Sequence, residues 1–199
     1  MIKDLERILQ IAFKNAKQQC NSEESCQLEM IERKKHNDRS KQWIAHLAAQ
    51  LLQFTKESNK TNDPEFCAFY RNNANLEDRK IFGLNEFLFD IVIAQMIEFE
   101  SAHKKAKFKA IRNAKWLVES EFQTGTSRPL LLDINKLALG AAENKLFIMS
   151  NSDKSVMKSW VTDTIKKLMD DGKANVFLAV VPHPRDWTNK DIIEVEQIV

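Results

Sequence analysis

Near Pro64 the hydrophobic pattern changes period, from the spacing of amphipathic helices to that of strands, and this switch limits the chain to folds that pack helices on a sheet. Before it, Leu5, Ile8, Leu9, Ala12, Phe13 and Ala16 form one helical stripe. Leu28, Met30 and Ile31 suggest a second helical stretch. From about Asp38 to Glu57 a broad face runs through Trp43, Ile44, Leu47, Ala48, Leu51, Leu52 and Phe54, with Asp38 or Ser40 as the N-cap. SNKTNDP (Ser58 to Pro64) reads as a loop.

After the switch, FLFDIVIAQMI (Phe87 to Ile97) is apolar on both faces except at Asp90, as suits a strand buried inside a sheet. WLVESEF (Trp116 to Phe122) alternates, with Trp116, Val118, Ser120 and Phe122 on one face and Leu117, Glu119 and Glu121 on the other. The segment from Thr126 to Asn144 reads as a helix with Ser127 as cap, Pro129 in its first turn and a stripe of Leu130, Ile134, Leu137 and Ala141. KLFIM (145–149) and NVFLAVV (175–181) are short strands. Between them lies a helix with Val156, Trp160, Thr164 and Leu168 on its face and Gly172 past its end. The implied fold is α/β (or α+β): a mixed central sheet flanked by helices, one domain over 1–199, with N-terminal helices in 1–60 and an α/β core in 65–199.

Composition removes other classes. With 43% hydrophobic residues, 4 Gly and 4 Pro among 199, the chain is neither disordered nor repetitive. Its formal charge of +2 names no partner. No apolar run is long enough to span a membrane, and the first residues lack a signal-peptide core. Cys20, Cys26 and Cys67 are odd in number and without zinc-type spacing, so reduced thiols and a cytoplasmic location are expected.

Asp90 and the Glu119/Glu121 pair stand out chemically. A carboxylate within an apolar strand must reach the strand end, find a partner or bind a cation. Glu119 and Glu121 share a face about 7 Å apart, near enough to share a metal or a water. The plainer alternatives are that Asp90 ends its strand at a solvent edge and that the glutamates form a wet face.

Taken together, an Asp strand, a Glu-x-Glu strand, a helix and an apolar strand resemble the PD-(D/E)XK nuclease superfamily, over about Asn85 to Met149. The resemblance implies a restriction-endonuclease-like core in which Asp90 and Glu119 are metal ligands, Ser120 adds its carbonyl, and Glu121 stands where Lys is usual. ESEFQ followed by LLLDINKLALGAAENKLFIM is also similar to a group of nuclease-core proteins with an Asp-x-x-Lys-Leu helix, here Asp133, Lys136 and Leu137. Lys136 would then supply the positive charge that Glu121 does not; otherwise it makes a solvated pair with Asp133. The implied chemistry is hydrolysis of a phosphodiester by Mg²⁺- or Mn²⁺-activated water. The expected partner is nucleic acid, DNA in the first instance, with no membrane contact and with a homodimer open as an alternative to a monomer.

KKAKFKAIRNAK carries Lys104, Lys105, Lys107, Lys109 and Arg112 between the Asp and Glu strands, as a basic connector placed to touch phosphates. VVPHPRDW (180–187) is a stiff turn. Two other readings compete: a non-catalytic binding or assembly module on the same fold, and a helical interaction protein working through the stripes around Trp43 and Phe54.

Overall fold

In a computed structural model the structure describes residues 1–22, 31–59, 65–71, 73, 87–103, 106–122, 126–151, 156–170, 172–184, 187 and 192–199, with the side chains of 21–22 and 31–36 excepted. The elements run α1 (Ile2–Ser22), α2 (Ile31–Ser58), β1 (Glu65–Tyr70), β2 (Ile91–Glu100), β3 (Lys107–Glu121), α3 (Ser127–Leu139), β4 (Asn144–Ser150), α4 (Val156–Met169), β5 (Asn175–Val181) and β6 (Glu194–Gln197).

The strands form one mixed sheet in the order β1-β2-β3-β4-β5-β6. The first three pair antiparallel, β3, β4 and β5 pair parallel, and β6 returns antiparallel on β5. Parallel pairing requires crossovers, and α3 and α4 provide them. Leu130, Ile134, Leu137, Val161 and Ile165 pack with Val92, Leu117, Phe147 and Leu178 on one face of the sheet. Leu5, Leu9, Trp43, Leu47 and Leu51 pack with Ile91, Ile93, Val118, Leu146 and Phe177 on the other. Both faces are therefore covered, which is why β4 is apolar from Leu146 to Met149 and β5 from Val176 to Val181.

The first stripe lies in α1 as expected, and all six of its residues are buried. In α2, Trp43, Leu47, Ala48 and Leu51 are buried in the same core, which assigns them to packing rather than to a working surface for partners. Asp38 and Ser40 are interior to this helix, which begins at Ile31, so neither caps it. Leu28 and Met30 lie outside the described residues, as does the segment 60–64 of the expected loop.

The sheet is larger than the four strands expected, because β1 and β6 join its edges. β2 starts at Ile91, later than Phe87, and Phe87 to Asp90 form a bend ahead of it. Thr126, in extended conformation, takes the cap position of α3 without a side-chain bond, and Ser127 is the first helical residue. That helix ends at Gly140, whose backbone lies so close to the sheet that a Cβ would meet Leu117 and stand 2.7 Å from Phe89 Cζ. In α4 the buried row is Val161, Ile165 and Met169, while Val156 and Leu168 are exposed; the packed face is rotated by about 100°, one residue, from the expected row. Gly172 follows at φ 66°, the left-handed region glycine favours. No helix among the described residues is long and apolar enough to cross a membrane. Cys20 and Cys67 are buried and form no disulfide among the described residues, and Cys26 lies outside the described residues.

A buried carboxylate cluster as candidate functional site

The site lies where β2 begins and β3 runs on past it. Ile91 pairs with Val118 as the last rung of the β2–β3 ladder, so the amide of Ser120 has no strand opposite it. Asp90 fills that role: its Oδ2 accepts the Ser120 N–H at 2.8 Å and the Ser120 hydroxyl at 2.6 Å. A buried amide needs an acceptor, and an aspartate just ahead of the strand supplies one. Burial raises the Asp90 pKa above its usual value, against the lowering effect of the two Ser120 bonds and of the Lys136 charge.

Glu119 follows from strand alternation. It shares the α3 side of the sheet with Leu117 and is 1% exposed. Its Oε2 accepts a hydrogen bond from Lys136 Nζ at 2.9 Å, while its buried Oε1 has no hydrogen-bond partner among the described residues. Lys136 also contacts Asp133 Oδ1 at 2.6 Å, one helical turn away on α3. One ammonium thus serves two carboxylates with Asp90 beside them. Loss of solvation, then the Asp90 charge, pushes the Glu119 pKa up to about 8, against the pull of Lys136. For Lys136, burial alone would lower the pKa, but the bonds to Asp133 and Glu119 outweigh it and push it up to about 12. Lys136 therefore keeps its proton, and the cluster is short of positive charge whenever all three carboxyls are ionised.

The structure brings Asp90, Glu119, Ser120 and Lys136 together, and adds Asp133 as the second partner of Lys136. Ser120 acts here through its N–H and hydroxyl. Glu121 continues the Glu119 face, half-buried and in register with Met149. Among the described residues no three His, Cys, Asp or Glu side chains group tightly enough to hold a metal ion, so Glu121 does not close a three-carboxylate shell with Asp90 and Glu119.

The basic segment is no connector. Lys107 to Lys115 form the outer half of β3, paired along β2. Lys107 bridges Glu98 at 3.2 Å and Lys109 bonds Glu65, so acids of neighbouring strands offset both. At about 3.3 Å per residue, Lys109 lies about 30 Å along the strand from Glu119. Arg112 is exposed on the same strand; Lys104 and Lys105 lie outside the described residues. His183 stacks edge-on against Phe122, ring centroids 6.3 Å apart.

Compared with protein-family models, curated proteins and solved structures, the chain matches none of them.

Proposed function

We propose that the protein is a metal-dependent nuclease of restriction-endonuclease-like core, hydrolysing phosphodiester bonds of DNA at the Asp90–Glu119–Lys136 cluster. The observation that carries this reading is the orphaned Oε1 of Glu119, a buried acceptor in a cluster with three carboxyls and one ammonium. A hard divalent cation satisfies such an oxygen and offsets the surplus charge. Two carboxylates suffice for Mg²⁺, which keeps several waters and takes further oxygens from a phosphate. Asp90 and Glu119 would hold the ion, with the Ser120 carbonyl as a third oxygen. When bound, Mg²⁺ or Mn²⁺ supplies an acidified water and neutralises charge developing on the phosphate. The remaining work falls to the chain: Ser120 holds the Asp90 carboxylate in place, and Lys136 orients Glu119 and puts a positive charge beside the reacting phosphate. The order of elements supports the same reading, because Asp90, just ahead of β2, and Glu119 on the antiparallel β3 are followed by α3 and the parallel strand β4.

The test is cleavage of plasmid, single-stranded DNA and RNA with Mg²⁺, Mn²⁺ or chelator. Metal-dependent cleavage is expected, and Asp90→Ala or Glu119→Ala should lower it by a factor on the order of 10² to 10³. Wild-type cleavage that persists in chelator or in both variants would rule the proposal out.

A second reading, a non-catalytic binding or assembly module, is favoured by one specific contact. Lys136 Nζ already occupies Oε2 of Glu119 and Oδ1 of Asp133, a place a cation would otherwise take. A wild type that cleaves no member of the panel, yet forms a stable complex without metal, would select this reading.

A further inference from the structure

On the α3 side of the sheet, an open groove of about 610 Å³ runs between residues 87–89, β3 and the α3–β4 turn. Val92, Ala114 and Leu117 line it, together with Leu88, which is 65% exposed. Ala141 and Ala142 keep the α3–β4 wall low. Phe87 is fixed by an edge-on contact with Phe69, ring centroids 4.9 Å apart.

The rim carries charge of one prevailing sign. Glu143 is its carboxylate, and Lys115 and Asn113 both bond to it. Arg112 and Lys173 add two cations. Arg112 sits in a β-bulge, the extra residue between the Gln95–Asn113 and Met96–Ile111 pairs, where a bulge re-aims its side chain out of the regular alternation. It is exposed and forms no ion pair among the described residues.

We infer that this groove binds a small amphipathic anion, an alkyl or aryl body on the apolar floor with one carboxylate held by Arg112. The volume falls within the few hundred to about 1,000 Å³ of small-molecule sites. The apolar floor and cationic rim match that chemistry and disfavour neutral polar or cationic ligands, and a guanidinium is suited to bidentate capture of a carboxylate. The site is separate from the cluster proposed for phosphodiester hydrolysis and does not depend on it.

Calorimetric titration of the full chain with octanoate, 1-octanol and octyltrimethylammonium tests the inference. Octanoate should bind at least about tenfold more tightly than octanol, the scale of one charge-assisted contact, and the cation not at all. Arg112→Ala should bring octanoate down to the octanol level, and Ala141→Trp should remove binding of both. Thermal unfolding of each variant would establish that it is folded; if Ala141→Trp is not, the Arg112→Ala comparison decides alone. Equal affinity for octanoate and octanol, no binding by the wild type, or an octanoate preference that survives Arg112→Ala would each overturn the inference.

Discussion

The two halves of β3 treat charge in opposite ways. In the outer half, Lys107 and Lys109 meet Glu98 and Glu65 one to one, with all four side chains at least 41% exposed. In the inner half, Glu119 is wholly buried, shares Lys136 with Asp133, and has Asp90 alongside. Water solvates the first set whether or not the pairs form, so they add little to stability. The second set has lost most of its water, so its members depend on one another. A single strand thus carries a solvated ladder at one end and an interdependent cluster at the other.

The most severe way to test the contrast is Lys136→Ala. Above pH 8, where Glu119 is ionised, it leaves that carboxylate buried without a cation and should cost about 2 to 3 kcal/mol in urea unfolding, at or below the 3–5 of a fully buried pair because Lys136 is partly exposed. A loss no larger than that of Lys107→Ala would erase the distinction. Gly140→Ala comes next. Its Cβ would displace Leu117 and Phe89, which adjoin Glu119 and Asp90, and overpacking of this kind costs about 1 to 2 kcal/mol, read as a lowered Tm.

The pH dependence sharpens the comparison further. The folded-state pKa of Glu119 is raised from 4.5 to about 8, so the folded protein binds this proton more tightly than the unfolded chain does. The resulting stability is full below pH 4.5 and is lost as pH rises toward 8; Asp90, also raised, acts with the same sign. Glu119→Gln should therefore flatten the stability–pH curve across that window, which denaturant midpoints at a series of pH values would measure. An unchanged slope would place the titration elsewhere. The smallest effect belongs to the outer half: Lys109→Ala should shift stability by no more than about 0.5 kcal/mol, and less still in high salt.

Legibility in the sequence follows the same division. Where burial is one-sided and periodic, as along α1, or complete, as in β4 and β5, residue type alone locates the element. The outer half of β3 alternates too, with Phe108 and Ala110 between lysines. However, register shifts at Arg112 and Lys115 break the period, and the acids that offset the lysines are on other strands. β1 and β6 are short edge strands, six and four residues, held by pairing rather than by their own pattern. In α4, Trp160 and Val156 suggested a face that tertiary packing places one residue over, on Val161 and Ile165. Lys136 entered only through the resemblance of its Asp-x-x-Lys-Leu helix, whereas Asp90 and Glu119 were legible because an ionisable group among apolar neighbours needs a partner. Which atoms of Ser120 would serve Asp90 was not, since that depends on where β2 begins.

That starting point also bears on the order of folding. Among the described strands, residues 107–115 of β3 pair with β2 alone, six residues away in sequence, whereas 116–121 also pair with β4 through the α3 crossover. Contacts close in sequence form at lower entropic cost, so we expect the β2–β3 hairpin to nucleate early and the β4 side to dock later. Asp90 and Glu119 arrive with the hairpin, but Lys136 arrives only with the crossover helix. During that interval the two carboxyls face each other without their cation, and acid should speed the docking step of refolding.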